Sequence, residues 1–455
     1  MNKKVTLIGG CFFGTIILFW LVSNYIAPLS EEHGQYVAYA KFISQGLMPY
    51  QDFNMVGTPI GIYILSILYS TIGIEASSYW ASGLLCLIHF INGYFLWKIM
   101  KKTGIEPIYS IIGLLFYAFI TYSSDCIIFN FEPFSTCFIL GACLFILNQD
   151  KWWLIGATIC FVLALGCKEH TLFLLPVLTF LIYDKSQKEK SRSINSMLFI
   201  VISLLIAIIG YTGITIIANN PQWANDLFPL QEMKHEQTWI DVLYYKLTYI
   251  IIQGGRCSLF FLIACPWLWK KMNFIAKKYV LTGIIACICY AGVFLFKIEV
   301  SNGMLFYPFI VLALVHILQS IPNRKLAINL GIVAIIAPFF LTIREFQQLE
   351  WGKIKTEQQE VLQELDVLKA IIKKPGTVFF KFDKYKDYYQ VPHVFAELPL
   401  LRPTKDTIPM EKADYIILTE GRFLELAEGE NAEAFLECIA DRKSYVSGCY
   451  LVYVR

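Results

Sequence analysis

Charge is what this chain has least of. Asp, Glu, Lys and Arg make up 16% of its 455 residues, against roughly 25% in soluble domains. The deficit is uneven. Residues 1–344 hold nearly all the long apolar runs, whereas residues 345–455 have the composition of ordinary soluble protein. The cysteine spacings that hold metals or run redox chemistry are also missing, because none of the 13 cysteines falls in a CxxC or Cys/His pattern. Most, such as Cys86, Cys137, Cys143, Cys287 and Cys289, sit in apolar runs as small buried hydrophobes. Only Cys438 and Cys449 lie in the soluble part, where a disulfide could form. No Asn-x-Ser/Thr occurs, so nothing marks a eukaryotic lumen. No Gly-rich phosphate loop or Rossmann pattern occurs, which argues against a nucleotide ligand. The net charge is only +3, and no nucleic-acid partner is expected.

What is there is hydrophobic: 56% of the residues, with a mean hydropathy of +0.55. The apolar segments are Val5–Ala27, Tyr79–Trp97, Pro107–Tyr122, Phe134–Leu147, Trp152–Cys167, Thr171–Tyr183, Ile194–Ala218, Cys257–Trp269, Tyr279–Phe296, Met304–Leu318 and Leu326–Ile343. A perpendicular span needs ~20 residues, so the shorter ones extend into flanking polar residues. Val5–Ala27 lacks a small-residue cleavage site before Glu31 and Glu32, and reads as an uncleaved first span. The expected fold class is an all-α polytopic membrane protein of about eleven transmembrane helices, with interfacial helices and a small C-terminal α/β soluble domain.

Lysine and arginine set the orientation. One set of loops carries Lys3, Lys4, Lys98, Lys101, Lys102, Lys151, Lys185, Lys188, Lys190, Arg192, Lys270, Lys271, Lys277, Lys278, Arg324 and Lys325. The other holds only Lys41, Lys168, Lys234, Lys246, Arg256 and Lys297, and is rich in acids. The first set is therefore cytoplasmic. The N-terminus lies inside, and residues 345–455 form an extracytoplasmic domain of a multi-pass plasma (inner) membrane protein. This alternation requires that Ile60–Ile74 not cross. It is short and follows Gly57, Thr58 and Pro59, as a re-entrant or interfacial helix would. Residues 28–77 then form one long outer loop on the 1–344 transmembrane domain. Within it, Glu32–Gln45 reads as a helix in the interface plane: Tyr36, Val37, Ala40 and Ile43 share a face, with Gln35 and Lys41 elsewhere. In the C-terminal domain, Val361, Leu362, Leu365, Leu368, Ile371 and Ile372 mark a long helix stopped at Lys373–Gly376. Thr377–Phe382 and Tyr415–Thr419 read as strands, Phe423–Ile439 as a helix, and Tyr445–Val454 as a strand or hairpin.

Acidic groups at the outer membrane face carry the chemical signal, because charge near the bilayer is costly. Glu31 and Glu32 follow the first span, Asp125 follows the third, and Glu132-Pro133 opens the fourth. Lys168-Glu169-His170 stands between the fifth and sixth. A carboxylate there can take a proton from an acceptor hydroxyl or amine, and a lysine can neutralise a leaving phosphate. Taken singly, each has a plainer reading. Glutamates after a span suit a solvated loop, Glu-Pro suits a helix start, and Lys168 suits a snorkelling interface lysine. Their convergence on one face lifts the set.

The run Glu32-His33-Gly34-Gln35-Tyr36, then Ala40-Lys41, Gly46, Pro49-Tyr50, Asp52-Phe53 and Pro59 through Tyr63 resembles the first outer loop of GT-C glycosyltransferases. The nearest likeness is to the aminoarabinose lipid A transferases and the protein O-mannosyltransferase-like bacterial enzymes. Glu132-Pro133 resembles their second acidic site, Lys168 with Pro176 their Lys–Pro pattern, and Tyr307-Pro308 the start of a late span. The ordered series covers roughly residues 1–340. It departs from the family where the lead Asp is Glu32, where the following Glu is His33, and where Gly57-Thr58 precede Pro59.

The resemblance implies an inverting glycosyltransferase that uses a polyprenyl-phosphate sugar donor. Glu32 and Glu132 would be catalytic, with Glu32 as general base. Lys168 and Arg256 would hold the donor phosphate. Glu31, Tyr36, Asp52, Asp125 and Tyr307 would line the substrate site. The acceptor is a lipid, glycan or protein. No cofactor is required, and a divalent metal is compatible. Two rival classes share the membrane build. A transporter or lipid-linked-oligosaccharide flippase should show internal repeats and paired broken helices, and the chain shows no internal repeat. A ligase or scaffold usually carries its large outer loop late, whereas here the long loop comes first.

Overall fold

The computed structural model describes residues 31–51, 58–72, 77–122, 130–148, 151–184, 191–218, most of 247–296, 301–348, 366–381, 401–402, 410–429, 432–447 and 450–455, with a few positions between 10 and 18. The first expected span therefore lies almost wholly outside the described residues.

Eleven longer helices make up the described membrane part. They are α1 (Glu31–Ser44), α2 (Ile60–Ile72), α3 (Ser77–Lys102), α4 (Pro107–Tyr122), α5 (Glu132–Asn148), α6 (Trp153–Cys167), α7 (Leu175–Asp184), α8 (Ser191–Ala218), α9 (Phe274–Phe296) and α10 (Tyr307–Gln319), followed by a further long helix, α11 (Arg324–Gln348). Nine of the eleven expected apolar segments, those from Tyr79 on apart from Cys257–Trp269, fall on these helices to within a few residues. Four are long and apolar enough to cross a bilayer by length and composition, within α3, α8, α9 and α11. The protein is an integral membrane protein with a mostly helical body.

Three expected helices are not regular. The Thr171–Tyr183 stretch opens as a tight 3₁₀ turn, Glu169–Leu174, before α7 begins. The Met304–Leu318 stretch opens likewise at Ser301–Leu305. Cys257–Trp269 is a 3₁₀ piece, Leu259–Ala264, and a four-residue helix, Cys265–Leu268. Pro266 and Pro308 sit in the first turn of the helical piece that follows, where a missing N–H costs nothing.

The core is built around α10, whose residues Tyr307 to Leu318 are all buried. Small residues let its neighbours approach. A Cβ on Gly113 of α4 would lie 2.7 Å from Val315, and one on Gly283 of α9 would lie 2.5 Å from Ala313. Large apolar side chains on α8 and α11, such as Ile194, Met197, Ile208, Ile209 and Phe340, are exposed. In a bilayer these meet lipid rather than water.

A second buried cluster forms at one end of the bundle. Helices α1 and α2 pack on each other there. Ala40, Phe42, Ile62 and Leu65 join Phe131, just before α5, Phe134 of α5 and Cys167 of α6. The expected interfacial layout of α1 needs correction, because Lys41 is fully buried rather than on a solvated side. Apolar neighbours cover α1 on more than the face that periodicity marks.

The same cluster runs on into the C-terminal unit through Leu368, Ile372, Val378, Tyr415, Ile417, Tyr450 and Val452. That unit is a mixed sheet of β1 (Gly376–Lys381), β2 (Leu401–Arg402), β3 (Tyr415–Thr419), β4 (Lys443–Ser447) and β5 (Tyr450–Val454), in the order β2-β1-β3-β5-β4. Strand β1 is parallel to β2 and β3, and the hairpin β4–β5 adds antiparallel strands beside β3. The helix expected at Phe423–Ile439 is two, α12 (Glu420–Glu428) and α13 (Ala432–Ala440). They divide at Gly429, where a Cβ would lie 2.8 Å from the Glu425 carbonyl. Tyr385, Tyr388 and Tyr389, and most of the expected helix before Leu368, lie outside the described residues.

Gly61 opens α2 against a ring: a Cβ there would fall 2.3 Å from Phe131. Gly61→Ala is expected to lower thermal stability in detergent by about 1–3 kcal/mol, the usual cost of overpacking. Adding Phe131→Leu should restore part of the loss. An unchanged melting temperature in Gly61→Ala would mean that α2 does not seat on Phe131.

Candidate active site

The site is built where three helix ends meet. Glu132 is the first residue of α5, and Pro133 follows it. Acid suits the positive end of the helix dipole, and proline suits its first turn. Lys168 follows the last residue of α6 in an extended conformation, with φ −152° and ψ 122°. The helix stops there and restarts as the 3₁₀ turn Glu169–Leu174. The break turns the lysine across to α5, where its Nζ lies 2.7 Å from Glu132 Oε1. Glu132 is 1% and Lys168 13% exposed, so the pair is nearly dry.

Hydroxyl and amide groups fix this geometry. The end of α6 leaves carbonyls that lack the next helical turn. The Ala164 carbonyl accepts the Lys168 N–H at 3.0 Å, the Ser135 hydroxyl at 2.6 Å and the Thr171 hydroxyl at 3.3 Å. On α5, the Thr136 hydroxyl donates to the Glu132 carbonyl at 2.8 Å and reaches the Met304 carbonyl at 3.3 Å. Asn92, fully buried in α3, donates from Nδ2 to the Pro133 carbonyl at 2.9 Å. Helices α3, α5 and α6 and the turn before α10 are thus tied around the Glu132–Lys168 pair.

Two expected substrate contacts stand near it. Tyr36 of α1 is half-buried, its ring edge-on to Phe131 at 4.6 Å, next in the chain to Glu132. Tyr307 opens α10 fully buried, edge-on to Tyr290 at 6.2 Å. Gly303 admits both rings, since a Cβ there would lie 2.4 Å from each phenol oxygen. Arg256 is half-buried ahead of the Leu259–Ala264 turn. Glu31 and Glu32 form the first turn of α1, and their side chains lie outside the description, as do Asp52 and Asp125. The structure therefore brings Glu132 and Lys168 together, with Tyr36 one ring away.

Several polar groups at this end received no role from the motifs. His170 Nδ1 lies 3.2 Å from Glu169 Oε1, and both side chains are buried. Tyr50 is buried with a left-handed backbone, φ 64°. Burial first, and then the nearby Glu169 carboxylate, push its phenol above the ordinary range, so it stays a hydrogen-bond donor. Lys41 stands in the outer-loop motif without a role, and Asn92 was missed. An Asn inside an apolar span is a signal that could have found Asn92. Among the described residues, no three His, Cys, Asp or Glu side chains stand together as a metal site.

Compared with solved structures, the whole chain superposes on ArnT from Cupriavidus metallidurans in the apo state, with a TM-score of 0.63, 11% identity, and coverage of 100% of this chain and 98% of that one. The chain has the ArnT fold. ArnT from the same organism bound to undecaprenyl phosphate gives a TM-score of 0.61 and 12% identity, over the same shares of the two chains. No family model matches the chain, and no curated protein matches it by sequence. The likeness to GT-C glycosyltransferases read from the outer-loop motifs thus extends, as a likeness of fold, over the full length of ArnT.

Lys168→Met would leave the buried Glu132 carboxylate without this counter-charge, a change expected to cost about 3–5 kcal/mol. The double variant Glu132→Gln/Lys168→Met removes both charges and should regain most of that loss. Thermal unfolding in detergent reads both. A single variant as stable as the parent would show that the pair does not brace the α5–α6 junction.

Proposed function

We propose that this protein is an inverting glycosyltransferase that takes a sugar from a polyprenyl-phosphate donor and passes it to a lipid, glycan or protein acceptor at the outer membrane face. The buried Glu132–Lys168 pair carries the reading. A nearly dry ammonium at a helix break is an uncommon feature, and it suits an anionic leaving group. The ArnT structure that holds undecaprenyl phosphate supports a donor of that class on this fold.

In the proposed reaction the acceptor oxygen or nitrogen attacks the anomeric carbon from the side opposite the phosphate. Glu32 takes the acceptor's proton. The bond from the anomeric carbon to the phosphate oxygen breaks, and its electron pair leaves with the phosphate. Lys168 and Arg256 neutralise that charge, and Glu132 keeps the Lys168 ammonium aimed into the site. Glu31, Tyr36, Asp52, Asp125 and Tyr307 line the bound substrates. No cofactor takes part in these steps, and a divalent metal remains compatible with the carboxylates.

The proposed topology has about eleven crossings, with α1 and α2 at the outer surface. The lysine-bearing loops support a common cytoplasmic face. Gln319, at the end of α10, bonds the Gly104 carbonyl and the Glu106 N–H of the α3–α4 loop at 3.0 and 2.7 Å. Arg324 pairs with Glu106 at 3.6 Å. The C-terminal domain, 345–455, would then stand outside, next to the 28–77 loop, where it shapes acceptor choice. An alkaline phosphatase fusion after residue 344 should be active in a bacterial host, and one after Lys190 inactive. The opposite pattern would put the site on the wrong face.

Glu32→Gln should reduce turnover roughly 10²–10⁴-fold, the range for loss of a general base, with little change in donor binding. Lys168→Ala should weaken donor binding, measured on folded protein below its lowered melting temperature. Glu31→Gln is the control and should be mild. If Glu31→Gln abolished transfer while Glu32→Gln did not, the base would be Glu31. If neither affected transfer in stable protein, this mechanism would fail.

A further inference from the structure

At the end of the bundle opposite the ion pair, the C-terminal ends of α3 and α5 enclose a groove of about 420 Å³. Trp97, Lys98, Lys101, Lys102, Leu144 and Asn148 line it. Helix α5 is 17 residues long, so this groove lies ~25 Å from Glu132 along the helix. It is not part of the candidate active site.

The walls are graded. On α3, Phe90, Tyr94, Trp97 and Lys101 follow one another at helical spacing along one face, and α5 adds Leu144 and the exposed Phe145. Phe90 and Tyr94 are 52% and 43% exposed, which at this depth means exposed to acyl chains. Above this apolar ladder stand three ammonium groups. Lys98 Nζ lies 4.7 Å from the Tyr94 ring centre, and Lys101 Nζ lies 5.6 Å from that of Trp97. Lys102 bonds the Asn148 side chain. Among the described residues, no carboxylate pairs with any of the three. Three positive charges held together in one groove favour an anionic ligand. Aromatic rings at the same level are the usual mark of the headgroup region.

We propose that this groove binds an anionic phospholipid. Its phosphate would sit among Lys98, Lys101 and Lys102, with Asn148 as a further polar contact, and its acyl chains would run along Phe90, Tyr94 and Leu144. Basic pockets between membrane helices take anionic headgroups in this way. A lipid is favoured over a free phosphate ester because the ammonium rim is continuous with a lipid-facing aromatic strip. The proposal holds whichever leaflet faces the cytoplasm.

The test uses the full-length protein in detergent, stripped of lipid and titrated with dioleoylphosphatidylglycerol, with retained lipid read by native mass spectrometry. Dioleoylphosphatidylcholine and glycerol 3-phosphate serve as the neutral-lipid and tail-free probes. Phosphatidylglycerol should bind, and the double variant Lys98→Gln/Lys101→Gln should bind it about 25-fold more weakly, on the order of fivefold per ammonium. Lys151→Gln, outside the groove, should bind as the parent does. An unchanged melting temperature in the lipid-free double variant will separate lost binding from lost fold. If that variant fails to fold, Lys102→Gln alone should still weaken retention about fivefold. Equal binding of phosphatidylcholine, glycerol 3-phosphate binding as tightly as the lipid, or full retention by the lysine variants would each overturn the proposal.

Discussion

A charged pair buried where a membrane helix breaks is the feature on which the arrangement of this protein turns. Taking Glu132 and Lys168 out of water is expensive, and their mutual attraction offsets that cost only if distance and hydrogen bonding are well held. The 2.7 Å contact requires Lys168 to leave the helical path, so α6 must end there. That end releases carbonyl groups inside apolar surroundings, where an unmet acceptor is costly. The Ala164 carbonyl keeps its helical bond from the Lys168 N–H and also accepts the Ser135 and Thr171 hydroxyls. The 3₁₀ turn at Glu169–Leu174 then lets the chain re-enter the bundle as α7. One ionic contact thus accounts for a helix stop, two hydroxyl contacts and an irregular restart.

Side chains without bulk allow the surrounding helices to close on this point. Lipid tails are as apolar as leucine, so helices in a bilayer associate through packing and polar contacts. A Cβ on Gly166, two residues before Lys168, would collide with the Ile60 side chain, and a Cβ on Gly61 would meet Phe131. The start of α2 therefore touches both α6 and the residue preceding Glu132. From there Tyr36 of α1 reaches the same phenylalanine. Helices α1 and α2 are seated on the ion-pair junction, and their cluster continues into the C-terminal sheet.

The regular parts of this fold were legible because apolar length and strand alternation are local signals. Pro107–Tyr122 and Tyr415–Thr419 were read residue for residue. What was not legible depends on contacts between distant residues. Nothing near Thr171 announces that its hydroxyl reaches back to the Ala164 carbonyl, so the 3₁₀ turn read as plain helix. Lys41 looks like a surface lysine until the apolar cover of α1 is known. The split at Gly429 was hidden because helical residues flank it on both sides. For the site, motif order selected Glu132 and Lys168 separately, with one given to chemistry and the other to phosphate. Their pairing, and the Asn92 contact that holds Pro133, appear only when α3, α5 and α6 come together.

The two ends of the bundle solve the same electrostatic problem in opposite ways. At the Glu132 end, ionisable groups are sunk below the surface and face one another, as in the Glu132–Lys168 and Glu169–His170 contacts. Low dielectric strengthens such contacts and makes any added or removed charge strongly felt. In the proposed transfer, that sensitivity would act on the phosphate as the sugar leaves it. At the other end, Lys98, Lys101 and Lys102 sit at the rim, stacked over rings or bonded to an amide, with water and headgroups in reach. Charges there interact weakly one by one and act through their number. A helix such as α5 that begins in the first environment and ends in the second is held at fixed depth. Moving it along its axis would either wet Glu132 or draw Asn148 and its lysine partner toward hydrocarbon. The polarity of its ends therefore opposes displacement of the Glu132–Lys168 junction along the helix axis, in addition to the packing along its length.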